Sequence, residues 1–351
     1  MLKLRGCHMW LRGFALMAVV GLLSGCSFEN RPEQPSGEEG GETRLTVVTT
    51  LFPYYDFTRQ IADGQVELSL VVPAGMDSHS FEPTPADMRL IQSADVLIRN
   101  GGEMERWLDE VLDALDLSDM TIITMMDYVD TVEEELVEGM EESGHEHGEE
   151  GHSHEDGPEH EHKDYIDYDG HEEEIEYDEH IWTSPVNAMK LTTAIGDVLE
   201  QRDPPHAAVY RQKTEAYLSR LKSIDAGFRQ VSDARKRNLI VIGDKFPFRY
   251  LADEYQLDYR AAFSGCSSDT EPSAKTIAYL IDKVKEEQIP VVYYLELSSH
   301  RVAEIIGEET GAQPLLLHSC HNVTRAQFDA GVTYVELMEQ NIENLRKGID
   351  E

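Results

Sequence analysis

A chain of 351 residues is long enough for two domains of ordinary size, each burying its own core. Its formal net charge of -38, from 68 acidic residues against 30 Lys and Arg, argues against nucleic acid or anionic lipid as a direct partner and favours cations.

The chain opens as an export signal, residues 1–26. Lys3, Arg5 and Arg12 precede the apolar run Phe14 to Leu23, which is too short to hold as a membrane-spanning helix. That run ends in Leu23-Ser24-Gly25-Cys26, which resembles the lipobox of bacterial lipoproteins. The resemblance implies that Cys26 is diacylated and becomes the first residue of the mature protein. Membrane lipid would then hold the protein on the extracytoplasmic face of the cell membrane, each buried methylene contributing about 0.8 kcal/mol. The plainer alternative is a secretory signal with a chance cysteine. Residues 27–44, rich in Glu, Gly and Pro, read as a flexible tether. Cys7 leaves with the signal, so Cys266 and Cys320 remain in the exported protein. A disulfide between them is expected before two reactive thiols, with zinc ligation as the competing use.

From residue 45 the pattern alternates. Leu45 to Thr50, Val66 to Val72, Val96 to Arg99 and Thr121 to Met125 read as strands. Pro53 to Phe57 opens one helix, Thr84-Pro85-Ala86-Asp87 starts another with a hydroxyl cap and a proline at its first position, and a third lies around Glu103 to Leu115. This spacing predicts a parallel sheet covered on both faces, an α/β lobe over residues 45–203.

Within that lobe, residues 133–177 read as a disordered acidic loop with too little apolar surface to offset the entropy of ordering it. Seven of the fourteen histidines fall here: His145, His147, His152, His154, His160, His162 and His171. Imidazoles and carboxylates in His-x-His pairs suit zinc-like cations, which makes these residues an accessory metal collector; the bland alternative is a solvated acidic tract. The loop gives way to Asp178-Glu179-His180-Ile181-Trp182-Thr183-Ser184-Pro185, a sequence of another kind.

Pro185 to Gln201 is expected as one helix, ended at Pro204-Pro205, and residues 204–237 as a linking helix reaching about Arg235. Its Tyr210, Tyr217, Leu221, Ile224, Phe228 and Val231 recur by sevens, fours and threes. Roughly thirty residues at 1.5 Å each make a rigid rod of about 45 Å. Residues 238–351 repeat the alternation. Strands are expected at Leu239 to Ile242, near Tyr259 to Phe263, Val291 to Leu295 and Pro314 to Leu317, with helices at about Pro272 to Gln288, Arg301 to Thr310 and Gly331 to Lys347. The predicted fold is α/β: two parallel-sheet lobes joined by a long rigid helix.

Open parallel sheets bind ligands beyond the carboxyl ends of their strands. His79, Asp244 and His318 each follow a strand, and His180 lies where the acidic loop re-enters folded structure. These four, drawn from both lobes, predict a metal site in the inter-lobe cleft, and zinc's four-coordinate N/O/S preference fits them. A lone His after a strand is more often a surface or hydrogen-bonded residue, so the joint placement is what counts.

Asp77-Ser78-His79-Ser80-Phe81-Glu82-Pro83-Thr84, the His-rich acidic insertion, the Asp178 to Pro185 stretch and the long helix after it together resemble the zinc/manganese ABC-transporter substrate-binding proteins, in the same order from about Leu45 to Gly348. The resemblance implies that His79 and His180 bind metal, with further ligands from the second lobe. The chain departs from the pattern there: Gly243-Asp244 stands where zinc-binding relatives carry a His-Asp pair, and the usual C-terminal aspartate falls near His318. The expected set is His79, His180 and His318, with Asp244 or water fourth; His321, Cys320 and Cys266 stay open as alternatives. Three imidazoles with one oxygen or sulfur donor favour Zn2+ over manganese or magnesium, although copper and nickel also suit such donors.

The function this implies is a lipid-anchored, monomeric binding protein that captures zinc outside the membrane and passes it to an ABC-transporter permease. A surface zinc scavenger or adhesin without a permease fits the same residues. A zinc hydrolase with Glu82 or Glu296 as general base is the third reading, but the chain carries no H-E-x-x-H signature.

Overall fold

The computed structural model describes residues 44–140, 176–265 and 272–350; Cys26, the histidine-rich run from His145 to His171, and Cys266 lie outside them. The first lobe runs β1 (Thr46–Thr49), α1 (Phe52–Ala62), β2 (Glu67–Leu70), α2 (Pro85–Gln92), β3 (Val96–Arg99), α3 (Arg106–Asp113) and β4 (Thr121–Thr124). Two long helices follow, α4 (Pro185–Arg202) and α5 (Ala207–Ala234). The second lobe runs β5 (Leu239–Phe246), α6 (Arg249–Tyr255), β6 (Asp258–Ser264), α7 (Ala274–Glu286), β7 (Val291–Tyr294), α8 (Arg301–Thr310), β8 (Gln313–Leu316), α9 (Arg325–Asp329) and α10 (Tyr334–Ile349).

Each lobe is built on a four-stranded parallel sheet, in the orders β2-β1-β3-β4 and β6-β5-β7-β8, so the two halves share one topology. Central strands read as continuous apolar runs because both faces are covered: Val47 and Val48 of β1, and Val96, Leu97 and Ile98 of β3, are all buried. Helix starts follow the capping chemistry visible in the sequence. Thr84 accepts from the Ala86 and Asp87 N–H groups while Asp87 accepts from the Thr84 N–H, and Pro85 fills the first turn. Ser184 caps α4 ahead of Pro185 by accepting from the Asn187 N–H.

The 28 residues of α5 make a rod of about 42 Å. Its buried stripe of Tyr210, Tyr217, Leu221, Ile224, Phe228 and Val231 packs on α1 and α4 of the first half and on α6 and α10 of the second. One apolar core therefore runs from Val48 and Phe57 through Trp182 and Phe228 to Val291 and Leu317. A second cluster, with Val241, Ala262, Leu280 and Ile306, fills the other face of the second sheet. Buried Asp56 of α1 accepts from the Tyr334 N–H at 2.7 Å, and Arg59 reaches the carbonyls of Gly331 and Val332, which fastens α1 to the entry of α10.

Several features differ from the sequence expectation, among them the ends of the expected disordered loop, where Glu133 and Tyr177 pair in an antiparallel bridge. Helices α6 and α9 form where none was expected; α9 is a five-residue turn held by a Thr324–Gln327 capping box, too short for periodicity to reveal. Strand β5 continues past Ile242 to Phe246 with an irregular register between Ile242 and Lys245. Gly243 is required there by space, because a Cβ on it would stand 2.8 Å from the Ala303 nitrogen of α8.

Candidate metal centre

Three loops converge between the lobes. His79 sits in the 3-10 turn Ser78–Ser80 after β2, where Asp77 Oδ1 accepts from its N–H at 3.0 Å. His180 precedes the 3-10 turn Ile181–Thr183 and is buried. His321 lies beyond β8, one residue after Cys320, whose φ of 59° reverses the chain in the left-handed region. The three rings stand 5.6 to 5.8 Å apart by centroid, and one nitrogen of each lies within 4.8 Å of the others. Zinc–nitrogen bonds of about 2.0–2.1 Å in a tetrahedron separate donors by about 3.3–3.4 Å, so small side-chain rotations close this set on an ion. Among the described residues this group holds no carboxylate and no thiol.

Two of the three imidazoles have a polar side-chain contact of their own. Asp178 Oδ1 accepts from the His180 N–H at 2.8 Å and lies 3.3 Å from its Nδ1. Ser78 Oγ pairs with His321 Nε2 across the cleft. Trp182 packs beside both His180 and His321, and its Nε1 donates to the Ser319 carbonyl at 2.8 Å. Asn322 Nδ2 donates to the carbonyls of Pro73 and Met76, each at 2.8 Å, which ties the His321 loop to the loop that carries His79. Neighbouring Glu179 accepts from the Met104 N–H at 2.9 Å and from the Glu103 N–H, pinning the His180 loop to the first lobe.

Burial and neighbouring charge favour the neutral form of two of these imidazoles. Burial, then the charge of His180, lowers His79 to about 4. Burial, then His79, His180 and Lys245, holds His321 well below the ordinary imidazole value. For His180 burial alone would act in the same direction, but the charge and hydrogen bond of Asp178 outweigh it and raise the value. Neutral imidazole is the form that ligates.

The structure brings His79, His180 and His321 together and leaves His318 out of the group. His318 is buried in the second lobe: its N–H donates to Asn341 Oδ1 at 2.7 Å, and its Nδ1 accepts from the Cys320 N–H at 3.0 Å and lies 3.4 Å from Glu296. The geometric group thus includes His321, one of the alternatives left open by the sequence, in place of His318. His318, two residues past β8, turns inward onto α10, and the Cys320 turn brings round His321, three places on. A left-handed cysteine leaves no mark in sequence.

Asp244 lines the same cavity without joining the group; its Oδ1 accepts from the Lys245 N–H at 2.8 Å, and burial raises its pKa against a hydrogen bond from Ser298. Cys320 is buried, with a thiol raised by burial, and stands outside the group. Of the two carboxylates considered as a general base, Glu82 is exposed and does not line the cavity, and both Glu296 oxygens are taken by Ser319. Asp178, Ser78, Trp182 and Asn322 were not foreseen as supports. Asp178 stands two residues before His180, and that spacing was its one signal.

The family described as zinc-uptake complex component A, periplasmic, matches residues 47–348. The zinc-binding lipoprotein AdcA of Streptococcus pneumoniae is 31% identical over 319 residues, 90% of this chain and 58% of that protein. The chain thus spans little more than half the length of that relative. The high-affinity zinc uptake system protein ZnuA of Bacillus subtilis is 31% identical over 341 residues, 97% of this chain and 98% of that one. Among solved structures, the Zn(II)-bound ZnuA-like domain of Streptococcus pneumoniae AdcA superposes with a TM-score of 0.67 at 28% identity, over 88% of this chain and all of that domain.

Proposed function

Because the chain belongs to the family of the periplasmic component A of zinc-uptake complexes, we propose that it is a binding protein that captures zinc outside the cell membrane and hands it to an ABC-transporter permease. The observation that carries this reading is the convergence of His79, His180 and His321 from both lobes on one point. Nitrogen donors of this kind suit zinc better than manganese or magnesium. Capture is simple coordination: neutral imidazoles replace hydration water, Asp178 holds the His180 ring, and Trp182 walls the site from behind. Permease docking would then release the ion by parting the His321 loop from the His79 loop.

Lipidation at Cys26 would keep the protein beside its permease, and the histidines between His145 and His171 would gather zinc without being needed for the tight site. The test is zinc titration of the purified chain against a competing chelator, paired with growth of a deletion strain under zinc limitation. One tight zinc per chain, kept when residues 141–175 are deleted, and a growth defect cured by added zinc support the proposal. Absence of tight zinc binding, or a deletion strain with no zinc-dependent defect, would sink it.

A further inference from the structure

The three imidazoles supply no negative charge, and among the described residues the carboxylates that line or flank the cavity have other partners. Asp178 is hydrogen-bonded to His180, Asp244 to Lys245 N–H, and Glu296 to Ser319 through both oxygens. Asp77 faces a cation instead: Lys245 Nζ lies 4.0 Å from its Oδ2. Lys245 is mostly buried, at 16% side-chain exposure, and lines the cavity of about 340 Å³ that contains all three histidines. The Lys245–Asp77 pairing is long and Asp77 is half exposed, so its carboxylate offsets the ammonium only in part, and the remaining charge repels a dication unless a further anion lies between them. The same cavity has a second cation on its wall, Arg301, at the amino end of α8 where positive backbone potential adds to it. A dication held by three neutral ligands still has an open coordination position.

We propose that the cleft takes zinc together with an oxyanion, a carboxylate or carbonate group, which fills the open coordination position and rests on the Lys245 ammonium. The inference depends on His79, His180 and His321 being the zinc ligands. The anion either arrives free or is a carboxylate of the small chelator that carries the metal; the cavity has room beyond the histidines for such a molecule.

The experiment measures zinc affinity of the full chain at matched free-zinc levels in perchlorate, acetate, bicarbonate and citrate, with native mass spectrometry of each complex. The expected result is an affinity gain of about tenfold or more in at least one oxyanion, with one anion retained per zinc. Retention of citrate alone identifies a chelate-borne ligand; retention of acetate or bicarbonate identifies a free one. Lys245→Met should lose the gain and bind zinc more tightly in perchlorate, because a like charge has gone. Lys245→Glu, carrying its own carboxylate, should become indifferent to the anion. Equal affinity within twofold in every salt with no anion retained, or a gain that survives in Lys245→Met, overturns the proposal while leaving the histidine site standing. No zinc binding in any salt overturns both.

Discussion

Asp178 Oδ1 holds His180 twice, accepting from its main-chain N–H at 2.8 Å and standing 3.3 Å from its Nδ1. A carboxylate at that position favours the imidazole proton on Nδ1, which would leave Nε2 free for a metal. Asp178→Ala should weaken zinc binding by about 10–100-fold with the ligand set intact, and Asp178→Asn should recover part of the loss. Competition titration against a zinc chelator reads both; unchanged affinity in Asp178→Ala would remove Asp178 from the account.

Asn322 gives both donors of one amide to first-lobe carbonyls, those of Pro73 and Met76. Asn322→Ala frees the His321 loop from the His79 loop. Losing one such bond costs about 1 kcal/mol net, which corresponds to zinc leaving several-fold to tenfold faster. Stopped-flow chelator chase measures this, and an unaltered off-rate would mean the clamp does not hold the cargo.

Asp56 is the polar centre of the seam between α1, α5 and α10. It accepts from the Tyr334 N–H and pairs with Arg59 at 2.6 Å, with Tyr217 Oη at 3.4 Å. Asp56→Ala strands the buried Tyr334 N–H and removes the carboxylate partner of Arg59, and should destabilise the protein by about 3 kcal/mol. Thermal unfolding should fall by roughly 6 °C or more. A change under 1 °C would show that the seam is held by apolar packing alone.

Burial raises the Glu105 carboxyl, opposed by hydrogen bonds from Thr50 and Gly101 and by the charge of Arg99. The folded protein thus keeps this proton to higher pH than the unfolded chain, where a Glu titrates near about 4.3. The stability it contributes is fully present below that value and is lost as pH rises through the folded one. Glu105→Gln stays neutral throughout, so its melting temperature in the metal-free state should decline less with rising pH than that of the parent. Contributions from the site histidines cancel in the comparison. Parallel curves for the two proteins would refute the assignment.

Much of the fold was legible because its signals are local. Alternating apolar runs gave both parallel sheets, Thr84 announced its helix, and the stripe on α5 was readable from Tyr210 to Val231. His79 and His180, expected from the family resemblance and from their places at strand and loop ends, fall in the one geometric group of imidazoles among the described residues. The third member was left open between His318 and His321. Choosing between His318 and His321 depends on a left-handed turn at Cys320 and on the pairing of His318 with Asn341, 23 residues away. The roles of Lys245 and Asn322 depend on which lobe faces them, which spacing along the chain does not encode.

The central claim is that His321, and not His318, completes the zinc site, and the most direct measurement is zinc affinity of His321→Ala beside His318→Asn, each checked for folding by circular dichroism. The account predicts that His321→Ala loses about 100-fold or more in affinity, while His318→Asn stays within about threefold of the parent even where its melting temperature drops. Retention of tight zinc by folded His321→Ala, with its loss in folded His318→Asn, would contradict it.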